Sequence, residues 1–167
     1  FFYSGFSYGG HAALRLMKDL EFGDKRKWAG IVSLEPPCNI FHEPRNFVAP
    51  ILVLKGGESH YEPKPCKTMI DLYASAGADA SLKIFPKSNH FFSHNGKIVK
   101  GVAFNGCGDN PVIIGINNSL KFLDGSEANP KIVRKKCFTK TAGSGKSRED
   151  LKLAINDSIQ FFKSKLN

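Results

Sequence analysis

A serine in a setting that suits nucleophilic attack lies near the start of the chain, in the segment Gly5-Phe6-Ser7-Tyr8-Gly9. Apolar residues precede this segment and an amphipathic helical pattern follows it, which indicates a sharp turn from a strand into a helix. Such a turn needs small residues beside the serine, because the backbone is strained and the helix packs close to the strand. The pattern predicts that Ser7 is a nucleophile and that the backbone N–H of Tyr8 faces an oxyanion.

A serine hydroxyl reacts readily only when a base takes its proton, and the histidine best placed to do so is His90. It follows the strand predicted for Ser81–Phe85 and lies in the loop from Pro86 to Phe92. Its position gives the chain order serine, acid, histidine. The other histidines come too early for that order or are not placed at the end of a strand: His11, His42, His60 and His94.

The third member of such a triad is a carboxylate that holds the imidazole in the correct tautomer. We expect it after the strand predicted for Ala49–Leu54, where the loop from Gly56 to Pro63 contains two glutamates and no aspartate. Glu58 lies closer to the strand end and is the predicted acid, and Glu62 is the alternative acid. Either glutamate can instead be an exposed loop residue.

Short apolar runs alternate with helical patterns along much of the chain, which is typical of a mostly parallel α/β sheet flanked by helices. Further strands are predicted at Phe1–Phe6 and Trp28–Leu34, and helices from His11 to about Gly23, at Lys67–Ala76 and at 147–166. Residues 91–146 lack this pattern and are predicted to be an irregular insertion, with one hairpin near Val112–Ile116. We expect residues 1–167 to form a single, partial domain.

The composition is that of a globular chain, with 41% hydrophobic and 23% charged residues. No apolar run approaches the roughly 20 residues of a spanning helix, so no membrane span is expected. The net charge is +9, and ten basic residues against three acids lie from Lys131 onward. These cations are not interleaved with aromatic residues, which favours a solvated face over a nucleic-acid-binding surface.

Several segments together resemble the dienelactone hydrolase-like family of the α/β-hydrolases. They are GFSYGG at 5–10, SLEPPC at 33–38, PILVLKGGESHYEPKPC at 50–66, FPKSNHFF at 85–92 and the closing helix. The resemblance implies an α/β-hydrolase fold with a serine nucleophile and a histidine base. It also places an aspartate three residues after a glycine in the third segment, where this chain has Ser59 or His60. The identity of the acid therefore departs from the family pattern.

The four cysteines are widely spaced and form no zinc-type cluster, so no metal is expected. Members of the family carry cysteines similar in position to Cys38 and Cys66, and a bridge between these two would join neighbouring strand ends. A bridge between Cys107 and Cys137 would close a loop of about 30 residues and stabilise it by roughly 3 kcal/mol. Paired cysteines would indicate a periplasmic or secreted protein, and unpaired thiols a cytoplasmic one.

The sequence thus predicts a serine hydrolase that cleaves a small-molecule ester, lactone or thioester without a cofactor. The alternative is a hydrolase-fold protein that has lost catalysis and serves in binding. An α/β-hydrolase sheet also has strands before the nucleophile strand, one loop of which supplies the second oxyanion N–H. We therefore expect the native protein to include an N-terminal half of the domain that is missing from these residues.

Overall fold

The structure is a computed structural model that describes residues 1–16, 28–44, 49–90, 100–104, 107–142 and 148–166. Its central feature is a four-stranded parallel sheet in the order β1-β2-β4-β5. The strands are β1 (Phe2–Phe6), β2 (Gly30–Leu34), β4 (Ile51–Gly56) and β5 (Ala80–Phe85). The predicted parallel sheet is confirmed, and each of these strands lies within two residues of its predicted bounds.

Helices cover both faces of this sheet. Alternate residues of a strand point to opposite sides, and in β2 and β4 both sets are apolar, so each face of the sheet has side chains to bury against a helix. On one face, α1 (Tyr8–Leu16) and α2 (Pro63–Ser75) pack against Ile31, Ile51 and Val53. On the other face, α4 (Arg148–Ser164) packs against Val32, Leu52 and Leu54. Strands that are buried on both faces read as continuous apolar runs, which is why their positions could be predicted.

Residues 91–146, predicted as an irregular insertion, contain short regular elements in their described part. These are β6 (Lys100–Phe104), β7 (Val112–Ile114), β8 (Leu120–Phe122), α3 (Pro130–Cys137) and β9 (Phe138–Ala142). The antiparallel β7–β8 pair is the predicted hairpin, and β7 also pairs in parallel with β3 (Ile40–His42), while β6 pairs with β9. Asn129 caps α3 by accepting the Ile132 N–H, and Pro130 after it is a favoured first residue of a helix, so this start is marked in the sequence although no helix was predicted here.

Two helix predictions extend beyond the described residues. The predicted end of the first helix near Gly23 falls in 17–27, and the predicted start of the last helix at Ser147 falls in 143–147. Within the part of the chain that the structure describes, none of the helices combines the length and the hydropathy that crossing a bilayer requires.

Candidate active site

The carboxyl ends of the parallel strands meet at one edge of the sheet, and the hydrogen-bond ladder runs one residue past each strand. The Ser7 N–H donates to Leu34 O (2.9 Å), the Glu35 N–H to Leu54 O (2.8 Å) and the Gly57 N–H to Phe85 O (2.8 Å). Each residue that follows a strand is thereby attached to the next strand. The ladder brings Ser7, Glu35 and the loop after β4 into one row at this edge.

Ser7 lies on the sharp turn that its surrounding residues predict. It is the single residue between β1 and α1, and its φ of 55° lies in the left-handed region that non-glycine residues rarely adopt. The Ser7 carbonyl accepts the His11 N–H at 2.9 Å, so the turn leads directly into the helix. This conformation holds the Ser7 side chain above the edge of the sheet.

A chain of hydrogen bonds runs from Ser7 through His90 to a carboxylate. Ser7 Oγ lies 3.0 Å from His90 Nε2, and His90 Nδ1 lies 3.1 Å from Glu35 Oε2. His90 is 1% exposed and Glu35 is fully buried. When Glu35 accepts the Nδ1–H, the proton is placed on Nδ1 and Nε2 is left free to accept from the serine.

The predicted positions of the acid, Glu58 and Glu62, need correction, because the carboxylate at His90 is Glu35. Glu58 is exposed, and its backbone N–H donates to Ser88 O at 2.8 Å. Glu62 lies at the start of α2, where burial and the nearby Asp109 raise the pKa of its carboxyl. Glu35 instead directly follows β2, next to the nucleophile strand, and its φ of 51° belongs to a sharp bend at the strand end.

Four donors surround the Glu35 carboxylate. Oε2 accepts from Lys55 Nζ (3.0 Å), from Ser59 Oγ (2.8 Å) and from His90, and Oε1 accepts the Gly56 N–H. Ser59 is one of the two positions at which the family resemblance places an aspartate. In this chain its hydroxyl donates to the carboxylate of Glu35.

Aromatic rings enclose His90 on several sides. The ring centroids of His60, Tyr61 and Phe6 lie 4.4, 4.9 and 5.5 Å from that of His90. Burial lowers the pKa of the His90 imidazole, and the Lys55 charge lowers it further, whereas the hydrogen bond and charge of Glu35 raise it. A neutral imidazole, which is the form that can accept a proton, is thereby favoured.

The remaining candidate residues take different positions. Tyr8 is the first residue of α1, so its N–H is among the first-turn amides that have no carbonyl partner within the helix. Its side chain is 73% exposed and hydrogen-bonds Tyr61, whose pKa is raised mainly by burial and also by this bond. His11 Nδ1 lies 3.2 Å from Pro37 O, and His94 falls outside the described residues.

The four cysteines form two bridges, Cys38–Cys66 and Cys107–Cys137, with Cα–Cα distances of 4.9 and 4.6 Å. Both pairings considered from the sequence are therefore present, and the alternative of four unpaired thiols is not. The sulfurs of Cys38 and Cys66 lie 3.7 and 3.8 Å from Pro36 O, one residue beyond Glu35. This bridge attaches the segment that carries Glu35 to the first turn of α2.

Removing the Cys38–Cys66 bridge should affect both stability and reactivity. The Cys38→Ser, Cys66→Ser variant should lower the free energy of unfolding by about 3–4 kcal/mol, as expected for a loop of this size, and should slow modification of Ser7. Urea unfolding and the rate of labelling by a fluorophosphonate measure the two effects.

The second bridge provides a matched control. The two bridges have sequence separations of 28 and 30, so the Cys107→Ser, Cys137→Ser variant should lose a similar free energy of unfolding. It should keep the labelling rate of Ser7, since these cysteines belong to the cluster around β7 and α3. Equal slowing of labelling in both variants would contradict the expectation that the Cys38–Cys66 bridge helps to position Glu35.

Among the described residues, no three His, Cys, Asp or Glu side chains are grouped so that they could hold a metal ion. A serine hydroxyl, a buried imidazole and a carboxylate in hydrogen-bonded sequence can move one proton from oxygen to nitrogen and return it.

No family model and no curated protein match the chain. Among solved structures it is similar to esterase 2 of Thermogutta terrifontis phosphorylated by paraoxon (18% identity, TM-score 0.45), with 55% of this chain and 44% of that one covered. It is also similar to a proposed dienelactone hydrolase of Klebsiella pneumoniae (20%, 0.43) and to the α/β hydrolase MGS-M1 from a Medee basin deep-sea metagenome (17%, 0.43). Each of these two matches covers 55% of this chain and 40% of the other. The chain thus spans less than half the length of these proteins.

A signal for Glu35 was present in the sequence. It directly follows the apolar run of β2, and a polar residue at the carboxyl end of a buried parallel strand is placed at the functional edge of the sheet. Glu35 is followed by Pro36 and Pro37, so it also marks the end of that strand. Counting acids at every strand end, and not at the third alone, would have added it to the candidates.

Proposed function

We propose that this chain carries the catalytic residues of a serine hydrolase that cleaves an ester, lactone or thioester through an acyl-enzyme. The observation that carries the proposal is the hydrogen-bonded sequence from Ser7 Oγ through His90 to Glu35, with separations of 3.0 and 3.1 Å. Both links lie within the reach that a nucleophile and its base require.

In the proposed reaction, Ser7 Oγ attacks the carbonyl carbon while His90 Nε2 takes the hydroxyl proton. Glu35 stabilises the imidazolium that forms, and the Tyr8 N–H donates to the developing oxyanion. The proton on Nε2 then passes to the leaving alcohol or thiol as the tetrahedral intermediate collapses. Water attacks the acyl-enzyme by the same route in reverse, which returns the proton to Ser7.

The binding-protein alternative was motivated by the lack of an aspartate in the loop after β4. That motivation is weakened, because Glu35 supplies a buried carboxylate to His90 from the neighbouring strand end. Ser59, at one of the two positions where the resemblance places the aspartate, donates to Glu35 and so belongs to the same network. We therefore favour catalysis over binding.

Covalent labelling tests the proposal. A fluorophosphonate probe should modify the folded protein at one residue, and mass spectrometry of the labelled peptide should assign the adduct to Ser7. Labelling should be abolished in Ser7→Ala, because Ser7 is the hydroxyl that lies against His90 Nε2.

Ser75→Ala is the matched control, because Ser75 is an exposed serine of α2 whose hydroxyl bonds only the Asp71 carbonyl among the described contacts. This variant should label like the wild type. A folded wild-type protein that takes up no probe, or a Ser7→Ala variant that still does, would refute the proposed function.

A further inference from the structure

Lys55 is a lysine at a position where lysine is rarely found. It lies on β4, one residue before its end, and its side chain is fully buried. Its Nζ lies 3.0 Å from Glu35 Oε2, 3.1 Å from Pro36 O and 3.3 Å from Ser59 Oγ. A buried lysine costs several kcal/mol unless it is paired, so its contacts require an explanation.

The hydrogen bonds define the charges of this pair. An ammonium has three protons to donate, and Lys55 has three acceptors: the Glu35 carboxylate, the Pro36 carbonyl and the Ser59 oxygen. Ser59 can accept from Lys55 because its own proton goes to Glu35. Glu35 in turn accepts from four donors, which suits a carboxylate that carries no proton.

We propose that Lys55 is a positioning residue that holds Glu35 as an immobile carboxylate and sets the proton affinity of His90 through it. The proposal rests on the proposed function, which it extends from three residues to a buried network that includes a cation. Lys55 does not reach the reacting atoms, and it acts through Glu35.

The sign of the effect follows from the charges. Glu35 alone would favour the charged imidazolium, and Lys55 offsets part of this attraction because it places a positive charge on the same carboxylate oxygen. His90 therefore stays neutral, and able to act as a base, at lower pH than it would beside an unpaired carboxylate. Burial lowers the pKa of Lys55, and Glu35 opposes this shift.

Several polar and titratable groups face His90 and influence its pKa. Glu35 follows β2, Lys55 belongs to β4, Ser7 lies on the turn before α1, and His60 and Tyr61 come from the loop after β4. His60 is the only other imidazole in this set, so its titration must be followed separately from that of His90.

Replacement of Lys55 by methionine removes the charge and keeps much of the length of the side chain. In Lys55→Met, the pKa of His90 should rise by about one unit, because a nearby positive charge no longer opposes protonation. The His90 ring signals, followed by NMR against pH without substrate, measure this rise directly. The acid limb of the fluorophosphonate labelling rate against pH should move upward by the same unit, so that the rate falls about tenfold at pH values below the His90 pKa and much less at neutral pH.

Two further variants separate charge from packing. Lys55→Arg keeps the positive charge in an altered shape, so it should lose stability but leave the His90 titration within a few tenths of a unit of wild type. Lys83→Met removes a partly exposed lysine of the adjacent strand β5, which pairs with Asp157 at 2.6 Å, and should leave the His90 titration unchanged.

Equal His90 titrations in Lys55→Met and wild type would overturn the inference. If Lys55→Met does not fold, the charge of Lys55 is measured in the wild-type protein by NMR. Its ¹³Cε signal should stay that of an ammonium throughout about pH 6–9. A neutral Lys55 in that range would also overturn it. These titrations need neither substrate nor probe, so they test the role of Lys55 separately from catalysis. A wild-type protein that takes up no probe would instead refute the proposed function.

Discussion

Glu35→Gln should lower the rate of Ser7 modification, and kcat/KM for any ester substrate, by about 10³–10⁴-fold. The amide has one oxygen where the carboxylate has two, yet donors approach both oxygens of Glu35. Whichever way the amide is turned, its NH2 group faces a donor. His90 then loses both its orientation in the correct tautomer and the negative charge that stabilises the imidazolium.

The acids named from the sequence provide the matched controls. Glu58→Gln changes an exposed side chain, and Glu62→Gln changes a residue at the start of α2, so both should keep the labelling rate within about twofold. Fluorophosphonate labelling rates of the three variants rank the three acids directly. The rates are compared at equal concentrations of folded protein, which circular dichroism measures. If the labelling rate fell more in Glu58→Gln than in Glu35→Gln, the acid would be Glu58 in the loop after β4.

Gly5→Ala should prevent the nucleophile turn from forming. A Cβ on Gly5 would lie 2.1 Å from Gly9 O and 2.4 Å from Gly9 C, both of them backbone atoms of the first turn of α1. Backbone cannot move aside as a side chain can, so α1 would have to shift away from β1. We expect a loss of about 4 kcal/mol or more in the free energy of unfolding, or no folded protein.

The second glycine of the same motif behaves differently and serves as the control. A Cβ on Gly9 would meet no atom within 4 Å, and Gly9 lies in a helix, where alanine is favoured over glycine by up to about 1 kcal/mol. Gly9→Ala should therefore unfold at the same or a higher urea concentration than wild type. A Gly5→Ala variant as stable as Gly9→Ala would contradict the close approach of β1 and α1.

The contrast between the acid and the other two site residues indicates which information the sequence carries locally. Ser7 and His90 could be predicted because each follows an apolar strand and lies in a distinctive short segment. The acid could not be selected in this way, since three glutamates follow strand ends or lie near them. Glu35 and His90 are 55 positions apart, and their contact depends on the order in which the strands are arranged in the sheet.

The charged contacts of Lys55 also depend on the arrangement of distant segments and not on its neighbours in the sequence. In the sequence it closes the apolar run before two glycines, where a lysine would normally extend into solvent. Its burial follows from the register that places it beside Glu35, together with Pro36 O and Ser59 as further acceptors. None of these partners can be assigned to Lys55 by periodicity.

The strand-turn-helix around Ser7, the parallel character of the buried strands and the strand-end position of His90 can all be predicted from local sequence. These properties depend on neighbours within a few residues, whose apolar periodicity and small side chains are visible in the chain. The contact between Glu35 and His90, and that between Glu35 and the buried Lys55, become visible only when the strands are assembled into the sheet. Such contacts depend on distances between segments that the chain connects through many residues, and strand order and register set those distances.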